Sequence, residues 1–204
     1  MLIERAPKLY RNLYPGSHWR FNIDKKVVYL TFDDGPIPEI TPWVLDLLDK
    51  YNIKATFFCV GENVCKHPDI FQMIKERGHK TGNHTFHHIQ GLKTETKPYL
   101  NDVQEADQLI KSKLFRPPYG HMRFPQFKAL KNRYKVIMWD VVTRDYSCLM
   151  TAGQVFEVVK KHTRNGSIIV FHDSLKAGDR MKESLPKSIE WLLDQGYDFE
   201  LIVE

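Results

Sequence analysis

Apolar runs and amphipathic stretches take turns along this chain from residue 27 onward. The short runs rich in β-branched and aromatic residues read as buried strands: VVYLTF at 27–32, ATFFCV at 55–60, KLF at 113–115, KVIMW at 135–139, SIIVF at 167–171 and DFELIV at 198–203, with the more polar HKTGN at 79–83 as a weaker one. Between them the apolar positions return at helical spacing. The segment 41–52 carries Thr41 as its expected N-cap, Pro42 in the first turn, and Val44, Leu45, Leu47 and Leu48 as an apolar stripe. Helices are likewise expected over 68–78, ending at Gly78, and over 97–112, 124–133, 152–166 and 182–196.

Strand and helix alternating about seven times predict parallel strands joined by right-handed crossovers, an α/β fold in a single domain. An open doubly wound sheet and a closed or partly closed barrel both fit this pattern, although no glycine-rich phosphate loop follows any strand. Residues 1–25, broken by Pro7, Pro15 and Gly16, read as an irregular lead-in, and 26–204 as the domain proper.

Composition narrows the classes. The net charge is +5, but the basic residues are interleaved with acids, so the charge pattern does not call for nucleic acid. The basic residues Lys160, Lys161, His162 and Arg164 suit the C-terminal end of a helix. The odd set of Cys59, Cys65 and Cys148 lacks C-x-x-C spacing, which excludes a disulfide framework and a cysteine zinc site. No run has transmembrane length, and the N-terminus as written has no signal-peptide core; the expected location is cytoplasmic. Asn165-Gly-Ser matches a glycosylation sequon but reads better as a helix stop. His18, His67, His79, His121 and His162 read as surface or capping residues.

The chemistry lies just past the strand ends. Asp33 and Asp34 follow the first strand, His84, His87 and His88 the third, Arg116 and Tyr119 the fourth, Asp140 and Asp145 the fifth, and His172 with Asp173 the sixth. In parallel β/α folds those ends gather on one face. Two adjacent carboxylates repel and need compensation. A divalent cation held by one aspartate and two histidines supplies it and leaves positions open for water and substrate. His84 and His88, at i and i+4, share a face if their turn is helical. Asp140 is as readily structural as functional.

Five segments in order, TFDDGP (31–36), HTFHH (84–88), RPPYG (116–120), WDVVTRDY (139–146) and VFHD (170–173), resemble the motifs of the polysaccharide deacetylases, the NodB-homology or carbohydrate esterase family 4 enzymes. The resemblance runs from residue 26 to the C-terminus. It implies a distorted (β/α) barrel with fewer than eight strands and metal-dependent hydrolysis of an N-acetyl group on an N-acetylglucosamine-type glycan, such as a chitooligosaccharide or peptidoglycan.

Position by position, the resemblance implies Asp34, His84 and His88 as metal ligands. Zinc is the expected ion, with cobalt, nickel and manganese as alternatives. It implies Asp33 as general base, Arg116 as its charged partner, Tyr119 as a backbone N–H donor to the oxyanion, His172 as general acid and Asp145 as the carboxylate that holds His172. Two positions depart from the family's pattern, Val142 where aspartate is common and Tyr146 where tryptophan is common; Tyr146 still offers an aromatic wall for substrate. His87, between the expected ligands, reads as pointing away. Rival readings are an amide hydrolase on a small or lipid-linked substrate, and a carbohydrate-binding homologue without catalysis.

Overall fold

The first strand, β1 (Val27–Asp33), explains how the molecule is layered. All seven of its residues are buried, and its side chains alternate between two compartments. Val28, Leu30 and Phe32 face outward into a core shared with helical residues such as Val44, Leu45, Val155 and Leu185. Val27 and Tyr29 face inward with Phe58, Leu114, Ile137, Ile168 and Ile202. Continuing the inward set by twos leads to Thr31 and then Asp33, so the same alternation that builds the core delivers a carboxylate to the mouth of the sheet.

The computed structural model describes residues 4–21 and 24–203. In chain order the elements are α1 (Lys8–Arg11), β1, α2 (Thr41–Lys50), β2 (Thr56–Cys59), α3 (Gly61–Lys66), α4 (Pro68–Glu76), β3 (Lys80–Asn83), α5 (Thr96–Ile110), β4 (Leu114–Phe115), α6 (Phe124–Leu130), β5 (Lys135–Val136), β6 (Val141–Val142), α7 (Ala152–His162), β7 (Ser167–His172), α8 (Gly178–Asp194) and β8 (Asp198–Phe199). Seven strands follow one path, β5-β4-β3-β2-β1-β7-β6, and every strand pair is parallel. β8 pairs with the start of β1, at Val27 and Val28, below the stretch of β1 that pairs with β2. The result is the expected α/β distorted barrel, curled but left open between β5 and β6.

The N-terminal segment lies across that opening. The His18 N–H donates to the Val136 C=O and its own C=O accepts from Met138, while Arg20 bridges to Ser167 at the start of β7. Asp140, fully buried, accepts hydrogen bonds from Arg11, Arg164 and Ser167. It is a structural anchor between the lead-in and the end of α7, and its multiple donors hold its carboxyl well below the usual range against the opposing effect of burial.

Several expectations are corrected. The run 135–139 forms a strand only at Lys135–Val136, and Val141–Val142 adds a strand that the apolar pattern did not single out because Trp139-Asp140 interrupts it. The last run is strand only at Asp198–Phe199. Thr41 is the first residue of α2 rather than its N-cap: its hydroxyl accepts from the Ile37 N–H and donates to Asp173 Oδ2 at 2.7 Å. His79, expected as a surface or capping residue, is buried and accepts the Ala55 N–H.

Candidate active site

At the C-terminal end of β1 the chain turns sharply, with Asp34 at φ 86. The turn is held from two sides. Asn63 donates its side-chain amide to the Asp34 C=O at 2.8 Å, and the Gly35 N–H donates to Asp173 Oδ1 at 3.1 Å. A Cβ on Gly35 would lie 2.0 Å from Asp173 Oδ2, so only glycine admits this clamp. Asp173 is fully buried, and its burial, reinforced by the charge of Asp34, lifts its carboxyl to about 8 against the lowering effect of Thr41 and Gly35. The sequence reading placed Asp173 at a strand end but gave it no role. The available signal was a second carboxylate directly after the β7 histidine.

Asp33 and Arg116 form a buried pair, with the guanidinium 2 % and the carboxylate residue 5 % exposed. Arg116 Nη1 donates to Asp33 Oδ1 at 2.6 Å and to Thr31 Oγ1 at 2.9 Å, while Nε and Nη2 donate to the carbonyls of Ile137 and Met138. The guanidinium also sits 4.0 Å from the centre of the Phe58 ring. A buried charge this well bonded is fixed in direction, and it fixes Asp33 with it.

The HTFHH segment is not helical. His84 and His88 converge because Thr85 and His88 take φ values of 65 and 53, a looped path that replaces the expected helical turn. Asp102 of α5 holds that loop, its Oδ1 accepting the N–H groups of Phe86 and His87 and its Oδ2 lying 2.6 Å from His87 Nδ1. His87 is thereby turned away from the ligand pair, as expected.

The Asp34 carboxylate lies 3.2 Å from His88 Nε2 and 3.8 Å from His84 Nε2. The ligand atoms of Asp34, His84 and His88 all fall within 4.8 Å of one another. The His84 Nδ1 lies 2.8 Å from the Arg116 C=O; donating to that carbonyl leaves Nε2 as the free lone pair facing Asp34. Burial pushes His84 down to about 4, favouring the neutral ring that a metal requires. Asp34 is held well below its usual range, because His88, His172 and His84 outweigh the opposing effect of burial. One carboxylate and two imidazoles fit a divalent metal ion.

Across the mouth, His172 at the end of β7 is bound twice by Asp145. Its Nδ1 lies 2.8 Å from Oδ1, and its backbone N–H donates to Oδ2 at 2.8 Å. Burial opposes charge on this ring, but Asp145, then Asp34 and Asp33, raise it to about 9. Arg180 of α8, a residue the sequence reading did not single out, donates to the C=O groups of Asp145 and Lys176 and so ties the two loops together.

Tyr146 stands edge-on to His172, centroids 4.7 Å apart. Tyr119, at φ 60, lays its exposed ring 4.9 Å from that of His88. Val142 is on β6, where its N–H donates to the Glu4 C=O.

The profile of the polysaccharide deacetylase family matches residues 22–134, more than half of the chain. The chain belongs to the polysaccharide deacetylase family. Its similarity to a peptidoglycan-N-acetylglucosamine deacetylase of Bacillus cereus is 32 % identity over 206 residues, covering 96 % of each chain. It spans 57 % and 38 % of two other peptidoglycan deacetylases that it matches, so the first comparison is the fuller one. Among solved structures, the Bc1960 peptidoglycan N-acetylglucosamine deacetylase superposes with a TM-score of 0.88 at 31 % identity, covering 97 % of this chain and 95 % of that one. The family fold also carries BA3943 of Bacillus anthracis, described as a CE4 family pseudoenzyme, with a TM-score of 0.83 at 26 % identity, covering 95 % of this chain and 69 % of that one.

Proposed function

We propose that this chain is a metal-dependent N-deacetylase acting on N-acetylglucosamine-type sugars, with peptidoglycan or its fragments as the favoured substrate. The observation that carries this reading is the pairing of opposite proton roles around one ligand triad. A carboxylate fixed by a buried guanidinium and an imidazole held protonated by a buried carboxylate both flank Asp34, His84 and His88. The similarity to peptidoglycan deacetylases over nearly the whole chain supports the substrate class.

In this reading Asp34, His84 and His88 hold the ion, for which zinc suits the mixed nitrogen and oxygen donors. When bound, it supplies Lewis-acid charge at the amide oxygen and makes water more acidic. Asp33 takes the proton from the attacking water. Arg116 holds the carboxylate in place, so that the proton is received in a fixed direction. The Tyr119 N–H donates to the oxygen on which negative charge develops. His172, charged at neutral pH, gives its proton to the departing amine, which is otherwise a poor leaving group. Asp145 keeps His172 Nδ1 bonded, so its transferable proton is on Nε2. Tyr146 offers an aromatic face beside that acid for the sugar ring.

The pseudoenzyme neighbour makes a non-catalytic reading the relevant rival. The test is acetate release from N-acetylglucosamine oligomers of graded length by zinc- or cobalt-loaded protein, with a chelated sample and Asp33→Asn as controls. Release that requires both metal and Asp33 is the expected result. Firm metal binding without release from any oligomer would overturn the deacetylase assignment.

A further inference from the structure

The family profile begins at residue 22, yet the segment before it reaches the turn that borders the candidate active site. Tyr10, in α1, donates its hydroxyl to the C=O of Gly120 at 2.9 Å. Four residues on, past the end of α1, the buried Tyr14 hydroxyl donates to the Met122 C=O at 2.8 Å and accepts the Met122 N–H at 3.0 Å. These bonds span 110 and 108 residues and both close on the stretch just after Tyr119, at Gly120 and Met122.

That turn has a conformation that needs support. Tyr119 and Gly120 are both at positive φ, 60 and 74. For the tyrosine this region is disfavoured by Cβ sterics. A Cβ on Gly120 would meet the Trp139 ring at 2.3 Å, so that ring is packed directly against the turn. Trp139 is in turn backed by the lead-in, with Trp19 at 5.3 Å and Tyr10 at 6.2 Å between ring centres. The hydroxyl bonds to Gly120 and Met122 and the Trp139 ring against Gly120 together hold the chain where it leaves Tyr119.

We propose that Tyr10 and Tyr14 of the N-terminal segment are positioning residues of the deacetylation reaction, holding the 117–122 turn so that the Tyr119 N–H is aimed at the reacting carbonyl. This deepens the deacetylase reading and rests on it. The lead-in is then part of the catalytic unit rather than a neighbour of it, and it acts on the step in which the oxyanion develops.

Tyr10→Phe removes one hydroxyl and leaves the ring packing, which makes it the decisive variant; Tyr14→Phe orphans two backbone groups of Met122 and serves as the second. Arg11→Gln is the control, because it cuts the lead-in's bond to Asp140 and its contact with the Trp19 ring while leaving both hydroxyl bonds to the turn in place. Two readouts are taken, steady-state kinetics on an N-acetylglucosamine oligomer and amide hydrogen exchange over 119–123.

In Tyr10→Phe, exchange at the turn rises about tenfold and kcat falls about tenfold or more, with KM within about twofold, as expected when a transition-state donor is misaimed. Arg11→Gln lowers Tm while leaving both readouts near wild type. Wild-type kcat in Tyr10→Phe overturns the proposal, and so does a loss of kcat that Arg11→Gln reproduces. Absence of acetate release from the wild type is a different failure, that of the deacetylase reading itself.

Discussion

His172 shows at the scale of one residue how environment assigns a role. Its ring is deeply placed, which alone would make it neutral, yet Asp145 contacts both its Nδ1 and its backbone N–H. The carboxylate cannot be replaced without conflict: Oδ1 also accepts the Tyr146 N–H, so either orientation of an asparagine amide sets an NH2 against a backbone N–H. Asp145→Asn therefore removes the charge that keeps His172 protonated and strains the loop that carries it. In the proposed mechanism the reaction uses the protonated ring, so activity is retained below its pKa and lost as pH rises through it. The alkaline limb of kcat/KM should move down in the variant by about one unit or more, toward the ordinary imidazole value. A pH–rate profile checks this, and an unmoved limb would mean that His172 is not the acid being titrated.

Among the elements, the loops rather than the strands hold the devices that build the site. The HTFHH loop depends on Asp102, which satisfies two of its N–H groups and the His87 ring at once. Asp102→Ala should weaken metal binding about 10- to 100-fold, the usual effect of losing an outer support for ligands. It should also cost about 1–3 kcal/mol, because two N–H groups lose their acceptor. Asp102→Asn, which keeps one acceptor oxygen, should fall between. Competition against a chromophoric zinc chelator measures the first effect and denaturant unfolding of the chelated protein the second; an alanine variant with wild-type zinc affinity would remove Asp102 from this account. This loop also marks where sequence reading stops. Strand ends are legible because apolar runs break there into ligand-type residues, and so the sequence alone places Asp33, Asp34, His84, Arg116 and His172 at them. The clamps are not legible, because Asp102 to Phe86, Asp173 to Gly35 and Tyr10 to Gly120 join residues 16, 138 and 110 apart with no periodicity to betray them. The helical turn expected for His84 and His88 failed for a related reason: i, i+4 spacing is only a face if the backbone is helical, and here positive φ values bend it otherwise.

For the whole molecule, the buried titratable groups set a stability profile that can be worked out in sign. His79 and His84 are each pushed down to about 4 by burial, so below 6.5 the unfolded chain takes up protons that the folded one refuses, and stability falls as pH drops toward 4. Asp173, raised from 3.8 to about 8, opposes this by one group but does not cancel two. Asp34 and Asp140, both held low, extend the loss below 3.8. On the other side His172 keeps its proton up to about 9 in the folded state, against 6.5 when unfolded, so its stabilisation is full below 6.5 and disappears as pH rises to 9. Asp173 adds a loss of the same sign up to about 8. Each uncompensated proton changes stability by about 1.4 kcal/mol per pH unit. Metal-stripped protein should therefore be most stable near pH 6.5 and decline in both directions, with His172→Gln flattening only the alkaline side. Denaturant midpoints from pH 4 to 9 test this. A wild-type stability that is level or rising between pH 7 and 9 would show that Asp145 and the nearby carboxylates do not hold the His172 proton in the folded state, and the general-acid assignment would lose its physical basis with it.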